Sequence, residues 1–367
     1  MSVTLLTPLG EFEAFATEGL RLAPDDVLRT TGWTAKPEGL CLQDQCVPWR
    51  GEQGEDGRID LAAFWRAQGH PVLSDDAGRV WVLGTGAHAD RAGDAALTAP
   101  DFELPDVNGV PRRLSDLRGR KVFLVTWAPW CGCKTDLPVW QSLFDSLKDQ
   151  PFMVVAVAQE SSGPERARPW YEKAGARYWQ LVDAEHRVSE LFGLVNVPQA
   201  VWIDERGRIA RPAENPGWPD AWRHRAHDLL PMTPEQRAAY GFMSAEQARE
   251  RDEGRQRYAA AVRDWVLTGA HALPHDQARS RQPAITPAIA QAQARFRLGV
   301  WLRRHGSADE GDRQLEEASR LHPQSWTIWR QAADLAGPGK VVGTEFLQRM
   351  AALGDKPYYP APQLPGF

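Results

Sequence analysis

The sequence predicts an α/β core at its centre, with a small α+β segment before it and a helix-rich region after it. Three observations carry this expectation. Two nearly continuous apolar runs, residues 121–127 and 152–158, have the composition of strands buried on both faces. Each is followed by a stretch with helical spacing, and the order β-α-β-α with helices of that length requires parallel strands. Beyond Trp218 the chain becomes rich in Ala, Arg, Glu and Gln.

Bulk properties narrow the classes. With 367 residues, the chain is long enough for two or three domains. It is 43% apolar and 25% charged, with a net charge of −5, which argues against nucleic acid as a partner. No apolar run is long enough to span a bilayer. The first residues lack both a basic n-region and a long apolar h-region, which predicts a cytoplasmic protein.

Taken in order, residues 1–97 are expected to form a small α+β domain and linker, 98–215 the α/β domain, and 216–367 a helical region. Residues 1–24 read as a weakly structured lead-in. Residues 59–68 have helical apolar spacing, with Gly69 as C-cap. Residues 71–73 and 79–83 read as strands around a turn at 75–78. The Gly/Ala/Asp-rich stretch 84–97 reads as a linker. After the strand 121–127 a helix is expected over 133–148, then the strand 152–158, then a helix over 164–173 with Pro164 in its first turn. Residues 200–203 and 208–210 make a hairpin around a turn containing Gly207. A parallel core closed by a terminal hairpin is the thioredoxin arrangement. In the helical region Leu298-Gly299, Leu315, Ala318 and Pro323 recur at offsets that fit one tetratricopeptide-like (TPR-like) hairpin, and equally an ordinary helical bundle. The Pro-rich tail 357–365 cannot be regular helix.

The chemistry concentrates where the first buried strand meets its helix, at Cys131. A thiolate there faces free backbone N–H groups and the positive end of the helix dipole, both of which make a thiol more acidic. Trp130 beside it limits access by solvent. Cys133 stands two positions on. Positions i and i+2 do not face each other on a helix, so a Cys131–Cys133 disulfide requires Cys131 at or before the N-cap, and Gly132 is expected to allow the tight backbone.

The segment Trp127-Ala-Pro-Trp-Cys-Gly-Cys-Lys-Thr-Asp-Leu-Pro138 resembles the active-site stretch of TlpA/ResA-like thiol–disulfide oxidoreductases. Ala99-Pro-Asp-Phe102, Leu104, Asn108-Gly109, Leu114, Asp116-Leu117 and Gly119 resemble that family's opening stretch. The resemblance covers about a third of the chain. It implies a thioredoxin fold, places Val197-Pro198 at the family's cis-proline, and aligns Glu160 with an acidic residue that some members use as a proton acceptor. Ordinary members carry C-x-x-C where this chain has C-x-C. A narrower ResA-like subgroup, with selenocysteine or cysteine in W-A-x-x-(Sec/Cys)-G-x-x-(Ser/Thr)-D-L, is also similar. In that pattern Cys131 takes the nucleophile's place and Cys133 a variable one. Lys134 and Asp136 allow two readings: groups that tune the thiolate, or, as is commoner on an exposed helical turn, solvated charges.

A second pair, Cys41 and Cys46, allows three readings: a dithiol that resolves oxidised Cys131, a local disulfide or metal half-site, or small buried apolar residues. No set of metal ligands is complete, and no cofactor is expected.

The expected activity is therefore thiol–disulfide exchange through Cys131, resolved by Cys133 or by Cys41/Cys46. The partners would be a protein or small-molecule disulfide and a thiol reductant, with a protein partner at the C-terminal helices as a further possibility. Two alternatives stand beside it: a thiol peroxidase with a single peroxidatic Cys131, and a non-catalytic scaffold. Against the peroxidase, Ala128 stands where a peroxiredoxin motif would have Thr.

Overall fold

The computed structural model describes residues 1–43, 45–49, 57–86, 97–241 and 243–367. They group into two compact units, residues 1–90 with 284–328, and 91–283 with 329–367. The helix-rich segment expected as one region is thus shared between both units. Most of the linker expected at 84–97 lies outside the described residues.

In the first unit the opening residues are a strand, Ser2–Thr7, and not a loose lead-in. It lies inside a four-stranded sheet, antiparallel to Gly10–Phe15 and parallel to Val80–Leu83, with Val72–Ser74 at the far edge. The reason is two-sided burial. Leu5 packs with Phe64 and Trp65, whereas Leu6 packs with Ala294, Leu298 and Leu302 of the helix Pro287–Arg304. A strand covered on both faces has no polar alternation to reveal it in the sequence. The helix Pro287–Arg304 pairs with Ala308–Leu321 at close backbone range: a Cβ on Gly299 would lie 2.8 Å from the Gly311 carbonyl oxygen. Cys41 and Cys46 face each other on the strands Gly39–Leu42 and Gln45–Val47 and form a disulfide.

The second unit holds a five-stranded sheet. Its elements are β1 (Lys121–Trp127), α1 (Leu137–Ser146), β2 (Phe152–Gln159), α2 (Arg168–Lys173), β3 (Trp179–Asp183), α3 (Arg187–Phe192), β4 (Ala200–Ile203) and β5 (Ile209–Glu214). The strand order is β3-β2-β1-β4-β5, with β1, β2 and β3 parallel and β4 antiparallel to both β1 and β5. This is the thioredoxin fold. β3 and α3 escape the sequence reading because Gln180 and Asp183 interrupt the apolar run. Asp183 is buried at the strand end and accepts the N–H groups of Arg187 and Val188 at 2.8 Å each, which starts α3.

One sheet face packs Val122, Leu124, Val155, Val157, Leu181 and Val201 into a continuous core. On the other, Phe123 meets Trp140 of α1 at 5.0 Å and Tyr258 at 6.1 Å, and Trp202 meets Trp265 at 5.0 Å. Tyr258 and Trp265 belong to the helix Ala245–Thr268, so a C-terminal helix completes this layer. Each large side chain buried there contributes about 1.5–3 kcal/mol.

Candidate active site

β1 delivers the chain to Ala128-Pro-Trp-Cys131, where the backbone turns into a short 3-10 helix, Gly132–Asp136, that leads into α1. Cys131 is the N-cap residue, in extended conformation, and its sulfur accepts the Cys133 N–H at 3.3 Å. A side-chain acceptor at an N-cap satisfies an otherwise orphaned donor. The Cys131 thiol also donates to the Val197 carbonyl at 3.6 Å, and the Val197–Pro198 peptide is cis.

Gly132 acts differently from the expectation. Its φ is not left-handed, so conformational freedom is not what the position needs. The requirement is space: a Cβ there would lie 3.2 Å from the Trp218 ring.

Cys131 and Cys133 are 2% and 0% exposed, and both are free thiols. Burial pushes the Cys131 thiol up. The hydrogen bond from the Cys133 thiol, the positive Arg330 and the Cys133 N–H together outweigh it and bring Cys131 down to about 7, against a smaller opposing effect of Asp136. Burial pushes Cys133 well up, and its bond to Cys131 and the charges of Cys131 and Asp136 add to that. The surroundings thus favour the anionic form at Cys131 and the protonated form at Cys133.

Asp136 is not a solvated charge. It is 1% exposed, accepts the Trp218 indole N–H at 2.6 Å and pairs with the Arg255 guanidinium. Burial raises its carboxyl to about 6 despite Arg255 and Trp218. Lys134 is half-buried, donating to the Pro129 carbonyl at 2.9 Å with its ammonium 4.5 Å from the Trp170 ring.

Trp130 is buried, and its indole N–H donates to Gln331 at 3.2 Å. Glu160 follows β2 and is fully buried. It accepts the Ser162 N–H at 2.7 Å and lies 3.4 Å from Arg166; burial raises its carboxyl. Thus Cys131, Cys133, Trp130 and Pro198 come together, whereas Glu160 turns to Arg166. Cys41 and Cys46 are joined in the first unit.

Sequence reading misses four contributors from outside the sheet. The buried Arg330 guanidinium sits 4.6 Å from the Trp130 ring. Tyr358 and Tyr359, in the Pro-rich tail, are buried, with their ring centroids 4.4 Å apart. The Tyr359 hydroxyl donates to the Val197 carbonyl at 2.9 Å. Trp218 lies 5.6 Å from Tyr359 and bonds Asp136. The one available signal is two adjacent tyrosines in a tail otherwise too Pro-rich to fold by itself.

Residues 96–211 match the AhpC/TSA family. The chain is similar to the thiol-disulfide oxidoreductase ResA of Geobacillus thermodenitrificans (strain NG80-2), with 30% identity over 115 residues, covering 31% of this chain and 66% of the relative. It is also similar to ResA of Bacillus subtilis (strain 168), with 29% identity over 114 residues, covering 31% of this chain and 63% of the relative. The chain thus spans just under two thirds of the length of these curated relatives. Among solved structures it is similar to a thiol-disulfide oxidoreductase from Bacteroides fragilis NCTC 9343, with 20% identity, 30% of this chain and 86% of the other covered, and a TM-score of 0.29.

Proposed function

We propose that the chain is a thiol–disulfide oxidoreductase in which Cys131 attacks and Cys133 resolves. The observation that carries this reading is the pairing of an acidic N-cap thiol with a second, protonated thiol hydrogen-bonded to it. The Cys131 thiolate attacks one sulfur of a substrate disulfide; a bond forms between that sulfur and Cys131, and the other substrate sulfur leaves as a thiolate that takes up a proton. Cys133 then gives up its proton and attacks Cys131. This expels the second substrate thiol and leaves a Cys131–Cys133 disulfide. The substrate gains two electrons and two protons, the protein loses them, and an external thiol reductant restores the dithiol.

Turnover of a small disulfide with dithiothreitol as reductant tests the reading. Cys131→Ser abolishes it, whereas Cys133→Ser retains the first attack and, given the disulfide before any dithiothreitol, is trapped as the mixed disulfide. A Cys131→Ser protein with undiminished turnover would sink the reading.

A second reading, thiol peroxidase, is favoured by the nearly complete burial of Cys131, which a hydroperoxide enters more easily than a protein disulfide. The thiolate would take one peroxide oxygen as a sulfenic acid and release an alkoxide or hydroxide. Cys133 would then displace water to form the same disulfide. Comparing turnover of hydrogen peroxide with that of the disulfide separates the two.

Resolution by Cys41 or Cys46 requires that pair to be reduced first, because a disulfide offers no attacking thiol. No helix of the described residues is long and apolar enough to cross a membrane. The cytoplasmic placement read from the N-terminal residues pulls against a lasting Cys41–Cys46 bond, which belongs to oxidising compartments. The redox state of that pair in intact cells decides between them. The helices Pro287–Arg304 and Ala308–Leu321 form the hairpin that we read as TPR-like, a surface for a protein partner.

A further inference from the structure

Arg330 brings to the dithiol a charge that the thioredoxin domain does not carry itself. It is 4% exposed, within residues 329–367, which belong to the same unit as Cys131. Its guanidinium lies 4.6 Å from the Trp130 ring and 4.8 Å from the Phe346 ring, and one terminal N–H donates to the Tyr358 hydroxyl at 3.1 Å. Trp130 precedes Cys131 in the chain. Tyr358 precedes Tyr359, whose hydroxyl sits on the Val197 carbonyl that the Cys131 thiol also uses. Arg330 is therefore tied to the sulfur's surroundings from both sides.

No carboxylate pairs with Arg330 among the described residues, and its Nε–H has no acceptor there. A buried cation without a counter-anion is strongly disfavoured. The groups near it that can become anions are Cys131, Cys133, Tyr358 and Tyr359. Burial pushes Cys133, Tyr358 and Tyr359 up, away from their anionic forms. Asp136 also acts on Cys131, but its carboxylate is taken by Arg255 and Trp218, with Arg251 adding positive charge nearby. Cys131 is left as the anion that matches the buried guanidinium.

We propose that Arg330 is the counter-cation of the Cys131 thiolate, and hence a positioning residue for the exchange reaction supplied from outside the thioredoxin domain. The assignment rests on Cys131 being the nucleophile. Its consequence is that the reactivity of the central domain depends on residues 329–367 being docked: without Arg330, the backbone N–H and the thiol of Cys133 remain, but the compensating charge is gone.

The test uses the full chain, labelled with 13C at cysteine Cβ and titrated by NMR with Cys41–Cys46 oxidised and Cys131 and Cys133 reduced. Cys133→Ala assigns the two free-thiol signals. Arg330→Gln is expected to raise the Cys131 midpoint by about one pH unit or more. Arg330→Lys, which keeps the charge, returns it most of the way to the wild-type value. Arg330→Met, which keeps the aliphatic stem over Trp130, replaces Arg330→Gln if the latter does not fold. An unmoved midpoint in the uncharged variant overturns the proposal, and so does an equal shift in Arg330→Lys, which would mean packing and not charge. Undiminished disulfide turnover by Cys131→Ser would remove the parent reading instead, whatever Arg330 does.

Discussion

The Cys131 thiol and the Tyr359 hydroxyl share one acceptor, the Val197 carbonyl, at 3.6 and 2.9 Å. The tail is therefore hydrogen-bonded to the backbone beside Cys131. It is anchored further by Asp220, whose carboxylate accepts the N–H groups of Tyr358 and Tyr359 at 2.8 Å each. Asn196 donates to the Tyr358 carbonyl at 3.1 Å. Cys131 itself is only 2% exposed.

Tyr359→Phe removes one of these hydrogen bonds, worth about 1 kcal/mol. If opening of the tail limits access, iodoacetamide should alkylate Cys131 about fivefold faster in the variant, at a pH where the thiolate fraction is unchanged. Equal rates would mean that the tail does not gate the sulfur.

The acidity of Cys131 sets a pH profile. With its thiol lowered from 9.0 to about 7, kcat/KM for the first exchange should rise about tenfold per pH unit below that midpoint and level off above it. The same shift acts on stability. The folded state favours the thiolate, so the contribution is complete above the unfolded value of 9.0 and is lost as pH falls through about 7. A flat rate profile across neutrality would contradict the thiolate assignment.

Asp136 and Arg255 are a buried ion pair, so removing one partner strands the other. Asp136→Asn should cost about 3–5 kcal/mol in urea unfolding, and the double variant Asp136→Leu with Arg255→Leu should cost less than either single change. Additive losses would show that the two side chains do not act as a pair.

Glu160 is engaged with Ser162 and Arg166 and not with the sulfurs. Glu160→Gln should therefore lower disulfide turnover by less than about tenfold, well short of the effect expected for removing a general base. A larger loss with an unchanged fold would restore Glu160 as a proton acceptor.

Four of the five strands of the sheet, and the place of Cys131 at its strand-to-helix junction, were legible because their signals are local. The run 121–127 is buried on nearly every position, and the strand-to-helix junction places Cys131 by itself. The strand Ser2–Thr7 was not legible, since Leu5 and Leu6 face opposite covers and the partner helix lies nearly three hundred residues away in the chain. The burial of Asp136 was not legible for a related reason: its helical turn looks exposed until Trp218 and Arg255 arrive over it. Arg330 and Tyr359 carry no motif of their own. Their part in the site depends on tertiary placement, which spacing along the chain does not encode.

The most direct test of the central claim takes the fully reduced protein, adds one equivalent of a small disulfide, alkylates the remaining thiols and digests with trypsin. The peptide from Val122 to Lys134 holds both Cys131 and Cys133. The account predicts that this peptide is recovered unalkylated and lighter by two hydrogens, with two substrate thiols released per chain. Recovery with Cys131 alkylated, while Cys133 or the Cys41/Cys46 pair has been oxidised, would contradict it.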